Sequence, residues 1–157
     1  MRIMIPRLVF FIACLFSVTS SFCQIQLQGE GPSKVVIGKC KNGMYTQAEL
    51  AYTLIEADTV YTLMYLNAKY TTLTDYVTLT FSEEGGTKNQ LYGLFKSFFS
   101  DENKKNKEYK QSFKLGNEQV IASNFRALGA TSVMLYTSKG DCYLTESQIE
   151  KLFGMNQ

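Results

Sequence analysis

Between Tyr76 and Phe81, apolar and polar positions alternate. Val77, Leu79 and Phe81 fall on one side and Tyr76, Thr78 and Thr80 on the other, the period-two pattern of a strand with one buried face. Glu83-Glu84-Gly85-Gly86 interrupts the run. Leu91, Leu94, Phe95, Phe98 and Phe99 then recur at helical spacing behind Thr87-x-x-Gln90, the spacing of a capping box. A second run near the C-terminus reads the same way. It comprises Val133–Thr137, a turn at Lys139-Gly140-Asp141, a short stretch Cys142-Tyr143-Leu144, and Thr145-x-x-Gln148-Ile149-x-x-Leu152-Phe153 closed by Gly154. Threonine, glutamine, an apolar residue, leucine and phenylalanine occupy identical offsets in the two helices.

Upstream of each unit lies a stretch that reads as a hairpin. Glu49–Ala57 carries helical features, since Thr46-x-x-Glu49 has capping-box spacing and Leu50/Leu54 are an i,i+4 pair. Tyr52, Thr53 and Ile55 favour strand instead, and Thr59–Ala68 is β-branched and aromatic on both faces, as a central strand needing partners would be. The reading adopted is a hairpin turning at Ala57-Asp58. Tyr109–Leu115 and Gln119–Phe125 flank Gly116-Asn117-Glu118, a second hairpin signal. Asn67/Asn124, Val77/Val133 and Thr87/Thr145 stand at nearly one offset, which suggests a duplicated β-β-β-α unit with half-repeats 49–99 and 108–154. An extra strand, Val35–Cys40, precedes them. The fold class expected is α+β: a mainly antiparallel sheet of seven or eight strands with two amphipathic helices packed on it.

The N-terminus changes the setting. Arg2 and Arg7 precede the apolar run Leu8–Val18, and Ser21 and Cys23 stand at −3 and −1 of a cut before Gln24. The expected organisation is a signal peptide over 1–23, a flexible leader over 24–34 and a single α+β domain over 35–157. A lipid anchor on Cys23 is the lesser alternative, because Phe22 and Ser20 depart from a lipobox. The full chain has 16 Lys+Arg against 14 Asp+Glu, and removing Arg2 and Arg7 evens the balance. Without a basic block, neither nucleic acid nor an anionic membrane is expected as the main partner, and no membrane span is expected once the signal is removed. Of the four cysteines, Cys40 and Cys142 remain after cleavage. In an exported chain they read as one structural disulfide closing a long loop, against two buried thiols as the alternative.

Chemistry is scarce. The chain has no histidine, which excludes histidine-dependent hydrolases and histidine metal sites. GxSxG, GxxxxGK[ST] and strand-to-helix GxGxxG are absent. No catalytic residue, cofactor or metal site is assigned. Gly85-Gly86-Thr87 could hold an anion at a helix start but reads first as an ordinary turn. Glu83-Glu84 point opposite ways on a strand end, and Asp58, Asp75 and Asp141 read as turn residues. Ten tyrosines remain; Tyr61, Tyr65 and Tyr70 are the candidate contact surface, against the plainer reading that they pack across strands. The absence of tryptophan weakens a sugar-stacking role for them.

The export signal followed by glutamine, with YTLMYLNAKYTTLTDY and the closing LTESQIEKLFG, resembles small uncharacterised exported α+β proteins of Bacteroidota. The resemblance spans Tyr52 to Phe153 and implies a periplasmic or secreted setting, with no activity and no site residues. The function expected is an exported non-enzymatic binding or interaction domain, its partner an envelope protein, a glycan or a second copy of the chain. The alternative is a carboxylate-dependent hydrolase acting on glycans or envelope material.

Overall fold

The computed structural model describes residues 32–70, 72–127 and 130–155. The expected signal peptide, the alternative anchor on Cys23 and the expected leader up to residue 31 lie outside the described residues; Lys34, the last residue assigned to that leader, already belongs to a strand.

The described residues form eight strands and two helices: β1 (Lys34–Asn42), β2 (Tyr45–Ile55), β3 (Asp58–Leu66), β4 (Tyr76–Ser82), α1 (Thr87–Ser97), β5 (Lys110–Leu115), β6 (Glu118–Ala127), β7 (Ala130–Tyr136), β8 (Asp141–Thr145) and α2 (Glu146–Leu152). All pairings are antiparallel, so the α+β class with mainly antiparallel sheet holds. The strands divide, however, into two sheets of four, β1-β2-β3-β4 and β5-β6-β7-β8. The recurring order is therefore four strands and a helix. Val35–Cys40 is the first strand of the first set, and Cys142-Tyr143-Leu144 is a full strand, β8, directly preceding α2. The offset that equated Val77 with Val133 sets β4 against β7; local pattern could not show that a five-residue strand intervened.

The Glu49–Ala57 ambiguity resolves as a hairpin. Ile55 pairs with Asp58, and Glu56 at φ 57 takes the left-handed turn position. Leu50, Leu63 and Leu79 then stand in one cross-strand row, as do Ala48, Tyr65 and Val77. These rows face the same core as Val133, Leu135, Leu144, Ala122 and Val120 of the other sheet. The helices complete that core. α1 buries Leu91 and Phe95, with Phe98 just past its end, and α2 buries Ile149 and Leu152. Phe153 meets Phe95 edge-on at 6.0 Å between ring centroids.

The helix starts differ. At α2 the capping box is complete: Thr145 Oγ1 accepts from Gln148 N, and the Gln148 side chain accepts from Thr145 N. At α1 the expected box is absent. Gly86 is the N-cap in the left-handed region, Thr87 Oγ1 donates to Glu84 O at 2.8 Å, and Gln90 Nε2 donates to Gly85 O at 2.7 Å. Two glycines let the turn tighten, so threonine binds backward into it.

Candidate functional site

The tyrosines proposed as a contact surface do not form one. Tyr65 is fully buried and Tyr61 is 8% exposed, while Tyr70 is 47% exposed. Tyr65 reaches across the core: its hydroxyl donates to Gly140 O at 3.2 Å and lies 2.9 Å from Thr137 Oγ1. Burial pushes the phenol up to about 12. Tyr61 stacks on Phe81 at 5.4 Å. Period-two alternation places a tyrosine on a face without saying whether another layer covers that face.

Cys40 and Cys142 are free thiols, both buried, so the expected disulfide is corrected. Each sulfur is turned to a carbonyl of its own surroundings: Cys40 Sγ to Ala48 O at 3.7 Å and Cys142 Sγ to Tyr143 O at 3.8 Å. Between them the β1–β2 register passes from Cys40↔Ala48 to Lys41↔Thr46, leaving Gln47 unpaired. Such a bulge re-aims a side chain, and the Gln47 amide donates to Tyr143 O on β8 at 3.2 Å. Burial raises both thiols, and the neighbouring Cys40 raises Cys142 further.

The helix start at Gly85-Gly86-Thr87 receives an anion from its own chain, since Lys88 N donates to Glu83 Oε2 at 3.2 Å. The aspartates of the turns are structural as well. Asp75 accepts from the buried Asn67 side chain at 2.8 Å, and Asp141 N donates to Asn67 Oδ1 at 3.2 Å.

The site that emerges lies where the sequence read only a solvated link. Ser100–Lys107 is tied down by asparagines. Asn103 Nδ2 donates to Ser97 O at 2.9 Å, capping the end of α1. Asn124 Nδ2, on β6, donates to Asn103 O at 2.6 Å and Asn106 O at 2.9 Å. This clasp holds the lysine-rich loop beside the end of β6, where Arg126 stands. Lys104, Lys105, Lys107 and Arg126 thereby surround a pocket of about 280 Å³ walled by Phe125. Lys104 pairs with Asp101; among the described residues Lys105, Lys107 and Arg126 have no ion pair. Phe125 is 39% exposed, and its ring lies 6.2 Å from that of Tyr143. Unpaired cations converging on a recess favour an anionic group there.

An open groove of about 620 Å³ adjoins this pocket, shares Lys104 with it, and holds Glu146 and Glu150. Both carboxylates are taken by one ammonium, Lys96, with Glu150 at 3.0 Å. Among the described residues no cluster of three or more metal-ligating side chains occurs, and no helix is long and apolar enough to cross a membrane. No family model, curated protein or solved structure matches the chain.

Proposed function

We propose that this chain is an exported, non-enzymatic binding domain whose ligand site is the basic pocket between the Ser100–Lys107 loop and the end of β6. The observation that carries the reading is the asparagine clasp. A loop of this composition would ordinarily stay solvated and spread its charges, whereas here three hydrogen bonds from Asn103 and Asn124 hold it. Lys105, Lys107 and Arg126, gathered without ion-pair partners among the described residues, cost folding energy through mutual repulsion, and a bound anion relieves it. The export signal supports a setting outside the cytoplasm.

The alternative, a carboxylate-dependent hydrolase, draws less support. Glycoside hydrolysis needs two carboxyl groups roughly 5–10 Å apart flanking the scissile bond, and the pair that comes together, Glu146 and Glu150, is engaged by Lys96 in an open groove.

Titration of the protein with inorganic phosphate, read by backbone amide shifts, tests the binding reading. Saturable shifts are expected at residues 104–107, 126 and 131, and their loss in Lys105→Ala/Arg126→Ala. Shifts spread evenly over all surface lysines, or none, would sink it.

A further inference from the structure

From the outer face of the second sheet we infer that two copies of this chain pair through it. The register puts Ile121, Phe125, Met134, Tyr136 and Tyr143 on the side turned away from the buried Ala122, Val133, Leu135 and Cys142. Ile121, Phe125 and Tyr136 are exposed. The Phe125 and Tyr143 rings lie 6.2 Å apart across β7, which puts only the small Ser132 opposite Phe125. Apolar side chains joined over three strands of an open face mark a contact surface. The outer face of the first sheet is built for water instead. Thr53, Thr62, Thr78 and Thr80 line it, and its Glu49 carboxylate is held by Lys34 and Lys39.

Charge selects the occupant. Lys110 and Lys114 stand on this outer face at the β5 margin, and Asp141 stands on it at the opposite margin, β8. None of the three has an ion pair among the described residues. Ser112, Ile121, Tyr136 and Asp141 form one cross-strand row, with Lys110 and Lys114 one row to either side. Two copies packed face to face about a two-fold axis parallel to the strands lay β5 of each over β8 of the other. Asp141 then falls between the partner's Lys110 and Lys114, and Ile121 meets the partner's Tyr136. An axis across the strands would set carboxylate on carboxylate and lysine on lysine. Arg126 and Thr131 lie on the other side of the register, so this pairing leaves the basic recess open and does not depend on it. Four strands about 4.8 Å apart make a face narrower than the ~800 Å² per partner of a standard interface, so the dimer dissociates on dilution.

Sedimentation velocity of the protein, from micromolar to near-millimolar concentration, is expected to show a reversible monomer–dimer equilibrium. Asp141→Lys and Lys110→Glu/Lys114→Glu, each alone, should weaken self-association about tenfold or more, since charges of one sign then face each other. Mixed in equal amounts, the two variants should pair with each other at least as tightly as the parent does with itself, which neither misfolding nor a contact elsewhere would produce. A parent that stays monomeric throughout, variants that dimerise alone as the parent does, or a mixture that gains nothing would overturn the dimer. Phosphatidylglycerol vesicles or a neutral glucan that shift the amides of 121, 125 and 136 in a monomeric parent would give the face to that occupant instead.

Discussion

Two single residues show how closely the layers approach. At Gly38, in the middle of β1, an added Cβ would lie 2.0 Å from Lys151 O and 2.5 Å from Leu152 O, both backbone atoms at the end of α2. The β1–β2 register shifts there too, between Val36 and Gly38. Glycine is thus what lets the helix terminus rest on the strand. Gly38→Ala should cost ~3 kcal/mol, the upper part of the overpacking range, because backbone rather than a side chain must yield; urea denaturation measures it. Glu49, 8% exposed on β2, is a charged group almost wholly buried in the first sheet. Hydrogen bonds from Lys34 at 2.6 Å and Lys39 hold its carboxyl below the ordinary value of 4.5. A depressed carboxylate stabilises the fold above its unfolded value, and that contribution is lost as pH falls through the lowered folded value. Glu49→Gln should therefore lower stability by ~1 kcal/mol at neutral pH. The gap from the parent should close as pH drops below 4.5, as melts across acid pH would reveal. The free thiols give a third residue-scale expectation. Neither Cys40 nor Cys142 should react with a maleimide in the folded protein, and both should react in denaturant without reductant. Labelling that needs reductant would mean the sulfurs are joined.

At the scale of elements, each helix is marginal alone and stable only through its apolar stripe. Phe95 is 1% exposed and touches Phe153, so Phe95→Ala should cost ~3–5 kcal/mol by opening a cavity shared by both helices. An unchanged melting temperature would mean the stripe does not carry the packing. The helices are also joined outside the core, where Lys96 takes both Glu146 and Glu150. Those two bonds, Glu146 first, raise the Lys96 ammonium above its ordinary value. A raised lysine stabilises the fold fully below its unfolded value and ceases to do so as pH climbs through the folded one. On the lysine side this contact therefore persists through the neutral range and is lost in strong alkali. Alternation and helical spacing alone were enough to reveal these elements, and even the disputed β2 followed from its β-branched and aromatic content. The capping box at Thr87 misled because its residues suit two local geometries, and the flanking Gly85-Gly86 selected the tighter one.

At the scale of the whole molecule, the two sheets are bolted through a few polar contacts. Asn67, 1% exposed at the end of β3, bonds Asp75 on one side and Asp141 N on the other. Gly140 leaves room for it, since a Cβ there would sit 2.4 Å from Asn67 Nδ2. Tyr65 holds the same β7–β8 turn. Tyr65→Phe should cost ~1–2 kcal/mol, the price of leaving a buried carbonyl one partner short. Because one hydrophobic cluster spans both sheets, the loss should appear as a shifted midpoint of a single cooperative transition. Two separate transitions would mean that the sheets are independent.

Local sequence, through the periodicities of backbone geometry, determined the strands, the helices, their antiparallel character and most of their buried faces. It also placed the turns, where Gly43, Gly116 and Gly154 take positive φ. The division into two sheets was decided only in three dimensions, because an edge strand looks the same whichever neighbour it has. So were the burial of Tyr61 and Tyr65, the surroundings of the two thiols, and the pocket itself. Lys105 and Arg126 are far apart in the chain, and what unites them is a pair of hydrogen bonds from one asparagine, a contact that no residue pattern announces.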